Sequence, residues 1–222
     1  MDGVNRGFSK YFGCSFVVWL AISCSAQKLA AGTKTALPDC DPMTGQVLRC
    51  PQLGFFYRVP FGWVDRTKEM QQSATEDPAP SETAADPKRN DPTGKTLLAV
   101  FERPPGIPGD EINSAVIIAV EDRAAYAQVK TAADYFGPLA DVAEGRGVKL
   151  QGTPYSFDSG TRQVVRGDFT GGDEKMPIRQ TSLVSLEKGY ILSFTFLASS
   201  DDEIDSLLQN LTFRSTSKKA RK

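Results

Sequence analysis

Hydrophobic and polar positions alternate strictly from Tyr190 to Leu197: Tyr190, Leu192, Phe194 and Phe196 point one way, and Ser193 and Thr195 share the other face with Ile191 and Leu197. That period of two predicts a strand laid on a core. Ser199-Ser200 then offers a helix N-cap, and Asp201, Asp202 and Glu203 put negative charge where the helix dipole favours it. Ile204, Leu207, Leu208 and Leu211 follow at i, i+3, i+4 and i+7, an apolar stripe facing the sheet. Glu187-Lys188-Gly189 is a hairpin turn, so Pro177–Glu187 is the preceding strand.

Upstream, Phe55-Phe-Tyr-Arg-Val-Pro60 reads as a first strand closed by the Gly62-Trp63 turn, with Trp63–Arg66 paired beside it. Leu97–Phe101 and Ala115–Val120 are apolar on both faces, as central strands are. A helix is predicted from about Ala124, with Tyr126, Val129, Ala133 and Phe136 on one face. Gly137-Pro138 breaks it, and a second short helix carries Leu139, Val142 and Ala143 to a stop near Gly145 and Gly147. Further strands are expected at 148–151, 155–157 and 162–170. Between Lys68 and Lys95, Met70 is the sole large apolar residue and Pro78, Pro80, Pro87 and Pro92 are scattered among polar residues. Such a stretch buries too little surface to offset its ordering entropy and reads as a disordered insertion. Residues 27–52 form a leader, 53–214 a single α+β domain, and 215–222 a basic tail.

This order of elements resembles the PsbP-like superfamily, named for a photosystem II extrinsic subunit and shared with a Ran-binding nuclear import factor. The resemblance rests on Phe55-Phe-Tyr-Arg-Val-Pro-Phe-Gly-Trp63, the apolar strand and helix at 115–136, the Tyr190–Leu197 strand leading into an acid-capped helix, and the terminal Leu-Thr-Phe213. It implies a central, mostly antiparallel twisted sheet flanked by helices, an α/β/α sandwich, with mostly non-catalytic binding or assembly roles. No site residue carries over. The 68–95 insertion and the N-terminal cysteine loop depart from the family pattern, so an exported bacterial relative fits better than a photosystem subunit.

Arg6 and Lys10 precede an apolar run from Cys14 to Ser23, and Cys24-Ser25-Ala26 places small residues for cleavage after Ala26. Residues 1–26 are therefore read as a signal peptide. The run is shorter than the roughly 20 residues a membrane span needs. An N-terminal anchor, a buried helix, and lipidation of Cys24 in Ala21-Ile22-Ser23-Cys24 are the alternatives. Export leaves Cys40 and Cys50, whose nine intervening residues include a turn at Pro42–Gly45. In an oxidising compartment a structural disulfide is expected, since the four ligands of a zinc site and the C-x-x-C redox spacing are both missing.

The chain has no histidine, which excludes Ser-His, Cys-His and His-based zinc chemistry. Net charge of −1 implies no nucleic-acid footprint. Asp91-Pro-Thr-Gly-Lys-Thr96 lacks the first glycine of a phosphate loop, with Arg at position 89, and precedes a strand. Glu121 and Asp122 leave a central strand, where acids serve catalysis or cap the next helix. The acids at 201–203 cap a helix rather than hold calcium, since consecutive helical residues point apart. The candidate partner-binding face is Arg162, Arg166 and Asp168 on one strand, with Arg179, Thr181, Ser185 and Glu187 on its neighbour. A solvated sheet face is the plain alternative. The chain is thus expected to be an exported, non-enzymatic binding or accessory protein of the bacterial periplasm or envelope, with a protein or envelope partner and no cofactor. A small-ligand carrier with a pocket between sheet and helix, and an envelope hydrolase, are the other readings.

Overall fold

The computed structural model describes residues 37–76 and 94–214, apart from Pro105, Pro108, Asp110 and Glu111. The expected signal peptide, residues 27–36 of the leader, the middle of the insertion and the basic tail lie outside the described residues.

The apolar strands form a seven-stranded antiparallel sheet. Its members are β4 (Val64–Asp65), β5 (Gly94–Phe101), β6 (Ala115–Asp122), β7 (Val148–Ser159), β8 (Arg162–Gly172), β9 (Pro177–Glu187) and β10 (Tyr190–Ala198). They lie in the order β4-β5-β6-β10-β9-β8-β7. The β9–β10 turn is as expected, with Lys188 and Gly189 both at positive φ, the geometry of a two-residue hairpin. A bulge between Gln151 and Tyr155 keeps 148–151 and 155–157 in one strand, where two were expected.

A second antiparallel sheet lies over one face of the first. It contains β1 (Asp41–Thr44), β2 (Val47–Cys50), β3 (Phe55–Arg58) and β11 (Leu211–Phe213), in the order β1-β2-β3-β11. This corrects two expectations. Residues 41–50 are not a leader ahead of the domain, because Leu48 and Cys50 are buried in its core and pair with β3. Residues 64–65 do not pair with β3 but with Phe101 and Val100 of β5, since β3 takes its partners from both ends of the chain. The expected Cys40–Cys50 disulfide is present and closes the β1–β2 hairpin.

A third correction concerns the insertion. Residues Thr67–Glu76 form helix α1, and Gly94 and Lys95 already belong to β5. α1 runs beside the open edge of β5 where two-residue β4 stops. The Thr67 hydroxyl oxygen accepts the Ala99 N–H at 2.9 Å, and the Gln71 amide donates to the Thr96 carbonyl at 2.6 Å. Covering a sheet edge in this way satisfies backbone groups that would otherwise template a foreign strand. Composition cannot register that term.

Helices flank both faces, as the resemblance implied. On one face, α2 (Phe136–Glu144) packs Phe136 and Ala143 onto Val148, Phe169, Val184 and Ile191. Gly137 and Pro138 do not break a helix here; they sit in the first turn of α2, where proline's missing N–H costs nothing. The segment before them is irregular, with 3-10 turns at Arg123–Ala125 and Ala133–Tyr135. On the other face, α3 (Asp201–Leu208) buries Ile204 and Leu207. Its N-cap is Ser200, whose hydroxyl accepts the Glu203 N–H at 3.3 Å, while the Glu203 carboxylate accepts from Ser199. The acidic cluster is a cap, as the sequence suggests.

The space between sheet and α2 is filled. The rings of Phe136 and Phe169 stack with centroids 6.4 Å apart, and Phe136 lies directly on the backbone of Gly167. A Cβ added there would stand 2.3 Å from Phe136 Cε1 and 3.2 Å from a Leu150 methyl. Gly167→Ala should therefore lower the stability by about 1–3 kcal/mol through overpacking, read as a lower urea midpoint at an unchanged m-value.

Candidate functional site

Alternation along β8 puts Arg162, Val164, Arg166 and Asp168 on one face, and alternation along β9 does the same for Arg179, Thr181, Leu183, Ser185 and Glu187. Val164 and Leu183 belong to the large core beneath the second sheet. The polar row is thus an extension of the core face rather than the opposite face of the sheet. The register confirms the grouping, pairing Arg166 with Leu183, Asp168 with Thr181 and Thr170 with Arg179.

The row divides into three parts. At one end Arg162 and Glu187 form an ion pair at 3.1 Å with little side-chain exposure. Arg162 also donates to the Leu53 carbonyl at 3.1 Å and lies over the Phe213 ring, 4.7 Å from its centroid. Because Leu53 precedes β3 and Phe213 ends β11, these two residues are a strut between the sheets. Ser185 is likewise buried. At the far end Arg179 makes an ion pair with Asp201 of the α3 cap at 3.5 Å, largely in solvent.

The middle is a network that reaches the surface. Asp168 accepts from Arg166 Nε at 2.8 Å, from the Thr181 hydroxyl at 2.6 Å and from the Tyr155 hydroxyl at 2.9 Å. The Arg166 guanidinium lies 5.2 Å from the centroid of the Phe157 ring, a cation–π geometry. Burial alone would raise the carboxyl of Asp168, but the bonds from Thr181, Arg166 and Tyr155 outweigh it and hold the group below its ordinary 3.8. Tyr155 is pushed the other way, first by burial and then by its bond to Asp168. Its ring remains 46% exposed, so a rigidly held tyrosine edge is offered to solvent.

Sequence reasoning named Arg166, Asp168 and Thr181 but missed Tyr155. The bulge in β7 brings Tyr155 opposite Arg166, and no residue pattern announces it. It also missed the grouping around Glu121. Tyr126 and Tyr135 both donate to that carboxylate, their rings edge to face at 5.4 Å. Burial, with Glu121 added, pushes both phenols well above their usual range. Asp122 caps the turn that follows by accepting the Ala124 N–H at 2.9 Å. Gly94, Lys95 and Thr96 lie in β5 and form no phosphate loop. Among the described residues no group of acids and cysteines is placed to hold a metal ion, and no helix is long and apolar enough to cross a membrane.

The described residues thus define an antiparallel α+β protein with a half-buried Tyr-Arg-Asp-Thr network as its most organised polar surface. No family model matches the chain, and a search of curated proteins returns no match. Solved structures give likenesses. Cyanobacterial PsbP from Synechocystis sp. PCC 6803 is 13% identical, covers 78% of this chain and 98% of its own, and has a TM-score of 0.45. A protein of unknown function from Pseudomonas aeruginosa is 17% identical over 45% of this chain and 68% of its own, with a TM-score of 0.32. LpqN, involved in cell envelope biogenesis of Mycobacterium tuberculosis, is 13% identical over 56% of this chain and 80% of its own, with a TM-score of 0.28. The first belongs to the family that the sequence pattern resembles. With TM-scores under 0.5 these are likenesses of outline, and the functional reading rests on this chain's own residues.

The network gives a pH signature. Replacing Asp168 with Asn should cost about 1 kcal/mol at neutral pH, the worth of charged hydrogen bonds discounted for exposure. Because the folded carboxyl titrates below its unfolded value, that advantage is complete above the unfolded value and is lost as pH falls through the folded one. Urea midpoints of wild type and Asp168→Asn should differ by a constant amount between about pH 7 and 5 and converge below about pH 4.

Proposed function

We propose that this chain is an exported, non-catalytic accessory protein that binds a partner in the bacterial envelope, and that the partner contacts the surface around Tyr155, Arg166 and Asp168. The observation that carries the reading is the network itself. Three groups fix Asp168 and orient Tyr155, so an aromatic side chain with a polar tip is presented at little entropic cost, as contact residues at interfaces are. The flanking Arg179–Asp201 pair supplies a charged rim. Arg162 and Glu187 support the site from beneath rather than touching a partner.

Export is supported by the Cys40–Cys50 bridge, which an oxidising compartment preserves, and by the basic residues, apolar run and small-residue site at 1–26. A carrier with a pocket between sheet and helix is disfavoured, because Phe136, Phe169 and the Gly167 backbone occupy that space. A hydrolase finds no support in the arrangement of Glu121 and Asp122, one bound by two tyrosines and the other capping a turn.

Site-specific photocrosslinking in the native host tests the reading. A crosslinker at position 155 should yield an adduct with one defined envelope protein. The same group at Ser156, on the opposite face of β7, should not. Equal adducts from both positions, or none from 155, would count against the proposed contact.

A further inference from the structure

The large apolar side chains left in solvent are not scattered. Reading the antiparallel registers along the main sheet, one end collects the start of β4, the β5–β6 connection, the β8–β9 turn, the end of α2 before β7, and the β10–α3 corner. The β1–β2 turn belongs to that end too, since the Val59 N–H donates to the Gln46 carbonyl just ahead of the Pro60–Trp63 turn. Phe61 stands there 92% exposed, with Met43, Ile107, Val142 and Met176 between 38% and 57%. Of the exposed large apolar residues among the described ones, Tyr155 alone lies elsewhere.

Two of these side chains are held outward by built turns. The Trp63 N–H donates to the Pro60 carbonyl at 3.4 Å and Gly62 takes φ of 84°, the positive φ that a type II turn requires at its third residue. Trp63 consequently packs against the core while Phe61 projects. In the β8–β9 turn the Asp173 carboxylate accepts the N–H groups of Lys175 and Met176, both at 2.9 Å, and fixes the backbone beneath Met176.

We propose that this end of the protein seats on a lipid bilayer, inserting Phe61, Ile107 and Met176 into the interface. Three observations select the occupant. The side chains come from separate loops along an end several strands wide, at about 4.8 Å per strand. A bilayer takes up each side chain independently, whereas a protein partner would have to match every one with its own pit. The charges among them are mixed, with exposed Lys175 and Arg146 beside Glu174 and Glu144, so apolar insertion rather than anionic-headgroup attraction is the driving term. The described residues that adjoin the chain's outlying segments stand at the opposite end. Asp39 pairs there with Lys95, α1 runs toward it along β5, and Arg214 donates its N–H to the Gly54 carbonyl beside Arg162.

Residues 27–222 contain one tryptophan, Trp63, so the chain without its proposed signal peptide carries a single reporter beside Phe61. It is mixed with vesicles of phosphatidylcholine bearing brominated acyl chains, which quench tryptophan on contact. Quenching of Trp63 is expected, little changed when anionic phosphatidylglycerol is added. Phe61→Ser should raise the lipid concentration for half-maximal quenching about tenfold, the worth of burying one phenylalanine, and Ile107→Ser should raise it by a smaller factor. Unquenched Trp63 on vesicle-bound protein overturns the proposal, because the chain is then tethered by another part. So does quenching indifferent to both substitutions. Self-association in sedimentation that disappears with Phe61→Ser would also overturn it, by showing that a second copy covers this end.

Discussion

Phe55, Phe194 and Phe213 come from three remote parts of the chain and meet ring against ring. Phe194 of β10 lies 5.0 Å from Phe55 of β3 and 5.6 Å from Phe213 of β11, both edge to face. Tyr57 meets Phe196 beside them at 6.2 Å. This aromatic contact holds the second sheet on the first. β3 has partners only from the N-terminal hairpin and the last strand, so the small sheet closes only when both ends of the chain have arrived. Each ring removes a large apolar area from water, and edge-to-face pairs add specificity of geometry. The Arg162 strut, which reaches the Leu53 carbonyl and the Phe213 ring, depends on the same closure.

That dependence explains what could be read from the chain and what could not. The strands β9 and β10, their turn and the capped helix α3 are local. Alternation, a Lys-Gly turn and a serine before acids suffice to specify them. β3 was legible as a strand, but its neighbours were not, since its partners Leu48 and Leu211 lie far apart in sequence. α1 was hidden for a related reason. Its residues are poor in apolar content, and what holds it is the unpaired edge of β5. Gly137-Pro138 misled because a proline that ends one helix is equally suited to open another.

The site was half legible. Alternation placed Arg162, Arg166 and Asp168 together and Arg179, Thr181, Ser185 and Glu187 beside them, and the register sets Asp168 against Thr181 and Thr170 against Arg179. Pattern could not tell that the row lies on the core face, where Arg162 and Glu187 are enclosed by the second sheet. One row of similar residues therefore serves as internal strut, as surface network and as charged rim, with burial the deciding variable. The organised polar surface and the apolar end are separate regions, so each can be altered without disturbing the other.

Hydrogen exchange on a chain carrying Phe194→Ala tests most directly the claim that one aromatic contact joins the layers. Loss of the ring should cost about 3–5 kcal/mol, and the amides of β3 and β11 should lose protection together, although neither strand contains the substitution. If β3 and β11 kept their protection while β10 alone loosened, the small sheet would stand by itself and the account would be wrong.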